Sequence, residues 1–296
     1  MREAEMEIEI ERGAAPLAGT LALPDGEGPH PAVLLLWAGR ADREGDVPAG
    51  ALGLGRAMAE GLAARGIASY RYDRCGHADA RWRDLGFTEH RAAATAALTA
   101  LGARADIGPV GVVGHSDGAL HAMGLAARAD VAAAVLLACP ARSGKQVYLD
   151  SARLWTTADL PRRSRLWLRL RGRSAQDQVQ RTVARAEADD PRLPRLLRDF
   201  VRYDPATELA EVRAPVLALT GAKDLTVDPA DLDRIAELVP GPVVVRRVPD
   251  LTHLLRRDPG DPSREDYRRQ LTEPVDPGLV AEVADWLSQQ LAPAVA

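Results

Sequence analysis

Chemistry in this chain centres first on Gly114-His115-Ser116-Asp117-Gly118. The pentapeptide follows a short apolar run, Val110 to Val113, and precedes a helical pattern, so it reads G-x-S-x-G in a strand–turn–helix setting. Glycines flank the serine because such a turn is too sharp for side chains beside it. The turn lifts the Ser116 hydroxyl above the strand ends. The next residue, Asp117, offers its backbone N–H at a helix N-terminus, where developing negative charge is stabilised. A serine hydroxyl is a weak nucleophile without a base. Six histidines are available, and position sorts them. His253, in Pro249-Asp250-Leu251-Thr252-His253, lies just after the last strand pattern, where an acyl-transfer triad needs its base. His30 precedes a strand, His90 and His121 fall inside predicted helices, and His115 is part of the turn. His77, in a loop after a strand, is the rival. The base in turn needs a carboxylate to hold its tautomer. Asp224, after the apolar run Pro215 to Thr220, is placed for that role. Asp228 is the runner-up, although it also reads as the cap of a helix beginning near Pro229.

The elements around these residues alternate between strand and helix patterns, which points to an α/β architecture with a mostly parallel sheet. Met6 to Ile10 alternates with acids as a half-buried strand does, and Leu17 to Leu23 follows as a second strand. Ala32 to Leu36 is continuously apolar, as in a strand buried on both faces. Leu54, Met58 and Leu62 recur at helical spacing before Gly66. Ile67 to Tyr72, Val131 to Ala138 and Val243 to Val248 complete the strands, with a helix over Thr88 to Ala103. Asp276 followed by Pro277 marks the start of a last helix with the stripe Val280, Val283, Leu287 and Leu291. The rhythm breaks over 143–204, a stretch dense in Arg, Leu, Trp and Gln that reads as inserted helices, a lid. The expected organisation is a core over 1–142, a helical lid over 143–204 and the rest of the core over 205–296.

Composition narrows the function classes. With 46% hydrophobic residues over 296 positions the chain can bury a sizeable core. Thirty-eight basic against 42 acidic residues leave a net charge of −4, which argues against a nucleic-acid binder. Cys75 and Cys139 are too few for a disulfide framework and lack metal-ligand spacing. The acidic, alternating start has no signal-peptide pattern, and no apolar run approaches a membrane span, so a cytoplasmic protein is expected. Neither a dinucleotide fingerprint, a Walker A lysine nor an HExxH motif is present. No metal or organic cofactor is expected, and the chain is expected to be a monomer or a homodimer.

With the order Ser116, Asp224, His253, the chain resembles the α/β-hydrolase superfamily over nearly its whole length. Within it, the chain is most similar to bacterial serine esterases and acyl hydrolases with a G-S-G-P-x-D-R-D-G loop after the third strand. The corresponding stretch is Trp37-Ala38-Gly39-Arg40-Ala41-Asp42-Arg43-Glu44-Gly45, where Gly39, Asp42, Arg43 and Gly45 match. Trp37, Ala38, Arg40 and Glu44 depart. The resemblance implies that this loop supplies a second oxyanion donor, the backbone N–H of Arg40, beside Asp117 and with Gly39 in the hole. Tyr72-Asp73-Arg74-Cys75-Gly76-His77 resembles the family's Y-D-x-R-G-x-G segment, which is structural there. Tyr203-Asp204-Pro205 and Ala214-Pro215-Val216-Leu217 resemble its return from lid to core.

The resulting expectation is hydrolysis of a carboxylic ester or thioester through an acyl-enzyme. The alternative is a non-hydrolytic acyl transferase, cyclase or eliminating lyase on the same fold, because bulk from Trp37 and Arg40 at the mouth of the hole can exclude water. Trp37, Trp155 and Trp167 are the expected substrate-binding residues. Eight arginines between Arg162 and Arg185 face one acid, Asp177. They read as a solvated helix face in an arginine-biased chain or as a docking patch for an acyl carrier protein or coenzyme A thioester.

Overall fold

The computed structural model describes residues 1–9, 16–48, 50–78, 80–153 and 174–292. Eight strands form one sheet: β1 (Arg2–Ile8), β2 (Leu17–Leu23), β3 (His30–Leu36), β4 (Ala68–Tyr72), β5 (Ile107–His115), β6 (Ala134–Leu137), β7 (Val216–Gly221) and β8 (Val243–Val248). Their spatial order is β1-β2-β4-β3-β5-β6-β7-β8. β1 and β2 are antiparallel to their neighbours, and every pair from β4 to β8 is parallel.

Strand side chains alternate faces, and two helical layers cover the two faces. Ala32, Leu34, Val112, Leu136 and Ala218 meet α2 (Phe87–Gly102), α3 (Asp117–Ala126) and, beyond the insertion, the helix Asp231–Leu238. The intervening Val33, Leu35, Val113, Val135 and Leu217 meet α1 (Leu54–Ala63) and the C-terminal helix Pro277–Gln290. Asp276 caps that last helix, its carboxylate accepting the Leu279 N–H at 2.8 Å, with proline at the first helical position. β1 differs from the reading of the sequence: it starts at Arg2, while Ile10 lies outside the described residues. Its first residues are an exposed edge held by main-chain pairing to β2, so burial left no pattern there to read.

Because β3 to β8 run the same way, the loops after β3, β5, β6, β7 and β8 leave from one edge of the sheet, where ligands bind in open α/β sheets. Between β6 and β7 the chain carries α4 (Gly144–Arg153), α5 (Ala175–Glu187), α6 (Arg195–Arg202) and α7 (Ala206–Leu209). α5 and α6 bury Val179, Val183, Ala186 and Val201 in a small core of their own, against Tyr148 and Leu149 of α4. Asp199 of α6 accepts the Phe87 N–H, and Arg195 pairs with Glu89, so this layer sits on the start of α2. Trp155, Trp167 and the arginines at 162, 163, 165, 169, 171 and 173 lie outside the described residues. After β7 come α8 (Asp231–Leu238), α9 (Tyr267–Gln270) and α10 (Pro277–Gln290). Among the described residues no helix is long and apolar enough to cross a membrane.

Candidate active site

β5 ends at His115, and Ser116 takes a left-handed backbone (φ 56°, ψ −123°) before α3 begins at Asp117. A positive φ on a non-glycine residue is strained, and neighbouring bonds hold it here. The Ser116 N–H donates to Leu137 O at 2.9 Å, and its carbonyl accepts from Ala119 at 3.0 Å. The flanking glycines are steric necessities. A Cβ on Gly114 would lie 2.5 Å from the Ala119 Cα, and one on Gly118 would overlap the Leu36 carbonyl.

The loop after β3 is tied to this turn by one carboxylate. Asp117 Oδ1 accepts the Gly39 N–H at 2.7 Å, and the Arg74 guanidinium bonds both Asp117 oxygens at 3.0 and 3.2 Å. Arg74 also donates to the Trp37 carbonyl at 2.9 Å. The Gly39 N–H, expected in the hole, is therefore already taken by Asp117. The backbone N–H groups of Arg40 and Asp117 have no partner among the described residues. Trp37 also differs from expectation. Its indole is 2% exposed, packs in the core layer of α1 and donates to the Arg43 carbonyl at 3.0 Å. Residue 37 directly follows an interior strand, so its side chain joins the core rather than the mouth of a hole.

Asp224 and His253 meet as the sequence order implied. Asp224 Oδ2 lies 2.8 Å from His253 Nδ1, and the aspartate side chain is fully buried. Asp224 Oδ1 accepts the N–H groups of Thr226 and Val227 at 2.7 and 2.9 Å, which fixes the carboxylate's orientation. A carboxylate only accepts, so Nδ1 carries the proton and the Nε2 of a neutral His253 keeps its lone pair. The two loops are braced together: Lys223 N donates to Leu251 O at 3.0 Å, and Lys223 Nζ pairs with Asp250 at 2.7 Å. His115 links them to the turn, its Nε2 donating to the His253 carbonyl at 2.9 Å with ring centroids 5.0 Å apart. Asp228, the runner-up, is half exposed, accepts the Ala230 N–H and lies 3.6 Å from Arg142. His77 sits in the turn after β4, its carbonyl accepting from Arg40.

Sequence reasoning passed over Arg74 and His115. Each acts on a partner far away in the chain, and nothing local marks a cross-loop contact. The motif placed His115 only as a turn residue.

His90, His115 and His121 are buried, and that burial has a measurable consequence. Desolvation, helped by the Arg74 cation, pushes His90 down to about 2. Desolvation pushes His115 to about 3, and His121 falls well below its ordinary value. Unfolded, each titrates near 6.5, so below that pH the unfolded chain binds more protons and stability falls. The stabilisation is complete above about pH 6.5 and declines as pH drops towards 3, with a slope approaching about 4 kcal/mol per unit for three such groups. Urea midpoints should fall clearly between pH 7 and pH 5. A flat profile would mean that these rings take up protons in the folded state.

Residues 52–260 match the family model Hydrolase_4, described as serine aminopeptidase, S33. The chain belongs to this α/β-hydrolase family. The matched stretch contains Ser116, Asp224 and His253. The chain is 26% identical over 278 residues to the esterase EstD of Thermotoga maritima, an alignment covering 92% of this chain and 65% of that protein. Among solved structures it is similar to Est1E of Butyrivibrio proteoclasticus, described with bound ferulic acid, at TM-score 0.65, 16% identity and coverage of 97% and 100%. It is also similar to the Pyrococcus furiosus esterase Pf2001, at TM-score 0.63, 15% identity and coverage of 98% and 92%. At those identities the structural likeness speaks for the fold alone. Among the described residues no group of three or more His, Cys, Asp or Glu is arranged to hold a metal ion.

Proposed function

We propose that the hydrolase cleaves a carboxylic ester or thioester through a serine-bound acyl intermediate. The observation that carries this reading is the 2.8 Å bond from His253 Nδ1 to buried Asp224, in a loop bonded to His115 beside the strained Ser116. His253 Nε2 takes the Ser116 proton as Oγ bonds to the substrate carbonyl carbon. The carbonyl oxygen becomes an oxyanion held by the N–H groups of Asp117 and Arg40. On collapse, His253 returns that proton to the departing alcohol or thiol, leaving an acyl-Ser116 ester. Water then attacks, His253 takes its proton, and the acid leaves as the proton returns to Ser116. Asp224 orients the imidazole and stabilises its cation, and the Arg74–Asp117 pair holds the loop after β3 against the turn.

Esters are favoured over other acyl compounds because the relatives named above are esterases. Bulk at the hole is a weaker argument for a non-hydrolytic reaction now that the Trp37 indole sits in the core. The test combines fluorophosphonate labelling with turnover of aryl, alkyl and thioesters in ¹⁸O-water. Aminoacyl anilides join the panel because the family description names an aminopeptidase. Labelling at Ser116 with ¹⁸O in the released acid is the expected result. Labelling without turnover of any simple substrate would transfer the reading to a dedicated acyl transfer, cyclisation or elimination.

A further inference from the structure

Most arginines near the sheet edge are neutralised. Arg43 pairs with Asp73, Arg71 with Glu3 and Glu44, and Arg74 with Asp117. Arg40 is different. Its guanidinium lies 4.6 Å from the centre of the Trp82 ring and donates to the His77 carbonyl at 3.0 Å, and its Nε is buried with no partner. Arg83 stands over the same indole at 5.3 Å and donates to the Arg192 carbonyl of the inserted helical layer at 2.9 Å. Neither arginine has a carboxylate within ion-pair distance among the described residues. Two cations therefore share one ring, in a protein of net charge −4, without a counter-ion among the described residues. An aromatic face steadies a guanidinium but does not neutralise it, so the charge and the N–H groups not already bonded remain ready to bind an anion.

Position decides which anion. Arg40 belongs to the loop after β3, whose Gly39 is bonded to the residue following Ser116, so its guanidinium is one side chain's length from the candidate oxyanion N–H. Trp82 belongs to the 3-10 turn Ala80–Asp84, which borders the inserted layer. We propose that Arg40, Trp82 and Arg83 form a subsite for a carboxylate carried by the substrate a few bonds from its scissile carbonyl. This rests on the hydrolase reading above and narrows it to acidic esters or thioesters. The phosphate of a pantetheine carrier lies many more bonds from its thioester than Arg40 reaches.

The experiment uses two matched ester pairs. Monophenyl adipate against its methyl ester places the charge on the acyl side, and 3-acetoxybenzoate against its methyl ester places it on the leaving group. In at least one pair the wild-type kcat/KM should favour the anion by roughly tenfold or more, as for a charge-assisted hydrogen bond, and added salt should erode the preference. Arg40→Gln should abolish most of that ratio, Arg40→Lys should keep part of it, and Trp82→Leu should reduce it. The ratio is the readout, because any loss from disturbing the loop falls on both members of a pair. No anionic preference in either pair, or a ratio unchanged in Arg40→Gln, overturns the subsite.

A binding arm separates this failure from failure of the hydrolase reading. Calorimetry on Ser116→Ala protein compares adipic acid monoanilide with its methyl ester, with and without Arg40→Gln. If the wild type neither labels nor turns over any ester, the hydrolase reading fails. The subsite then stands if the free acid binds more tightly and Arg40→Gln removes the difference, and falls if it does not.

Discussion

Ser116→Ala should lower turnover of any ester substrate by a factor on the order of a thousand or more and leave the fold unchanged. The substitution deletes only Oγ. The bonds that hold the turn are main-chain ones, Ser116 N to Leu137 O and Ala119 N to Ser116 O, and alanine keeps both. The left-handed backbone at φ 56° is equally strained for serine and alanine, so the melting temperature should hardly move. Without Oγ no acyl-enzyme forms, and what remains is binding and oxyanion stabilisation of a direct attack by water. The measurements are steady-state kinetics, thermal unfolding and fluorophosphonate labelling on the same preparation. A variant that keeps the wild-type rate would remove the covalent mechanism.

Asp224→Asn should be nearly as damaging, by up to ~10⁴-fold in kcat, as in serine proteases that lose the equivalent charge. The carboxamide oxygen can still accept from Thr226 and Val227, so the loop retains its anchors. Its NH₂ then faces His253 Nδ1 and makes that nitrogen the acceptor. The proton moves to Nε2, which is left unable to take one from Ser116. Asp228→Asn should remain within about twofold of wild type, because Asp228 is half exposed and its ion pair at 3.6 Å contributes little. A pH–rate profile in both variants separates a lost charge from a disturbed loop. The reverse ranking would move the acid role to Asp228.

The sequence by itself determined the fold class and the chain order of Ser116, Asp224 and His253. Local rules carry that information. A strand buried on both faces must be continuously apolar, as Ala32 to Leu36 is. A sharp strand-to-helix turn carries glycines beside its serine, as Gly114 and Gly118 do, and a proline after the capping Asp276 starts the last helix. The tertiary structure alone decided what depends on contacts between distant loops. The Gly39 N–H is taken by Asp117, 78 positions away, so the loop after β3 is fixed against the turn at Ser116. Trp37, bulky and polar at one end, gave no local sign of whether it faced a pocket or the core. It faces the core because its nitrogen finds the Arg43 carbonyl there, and a buried indole with a satisfied N–H costs little. Arg40 was legible as a departure from the family's loop. Only the folded chain sets its charge over Trp82 with no acid paired to it among the described residues, because counter-ions are chosen by proximity in space and not along the sequence.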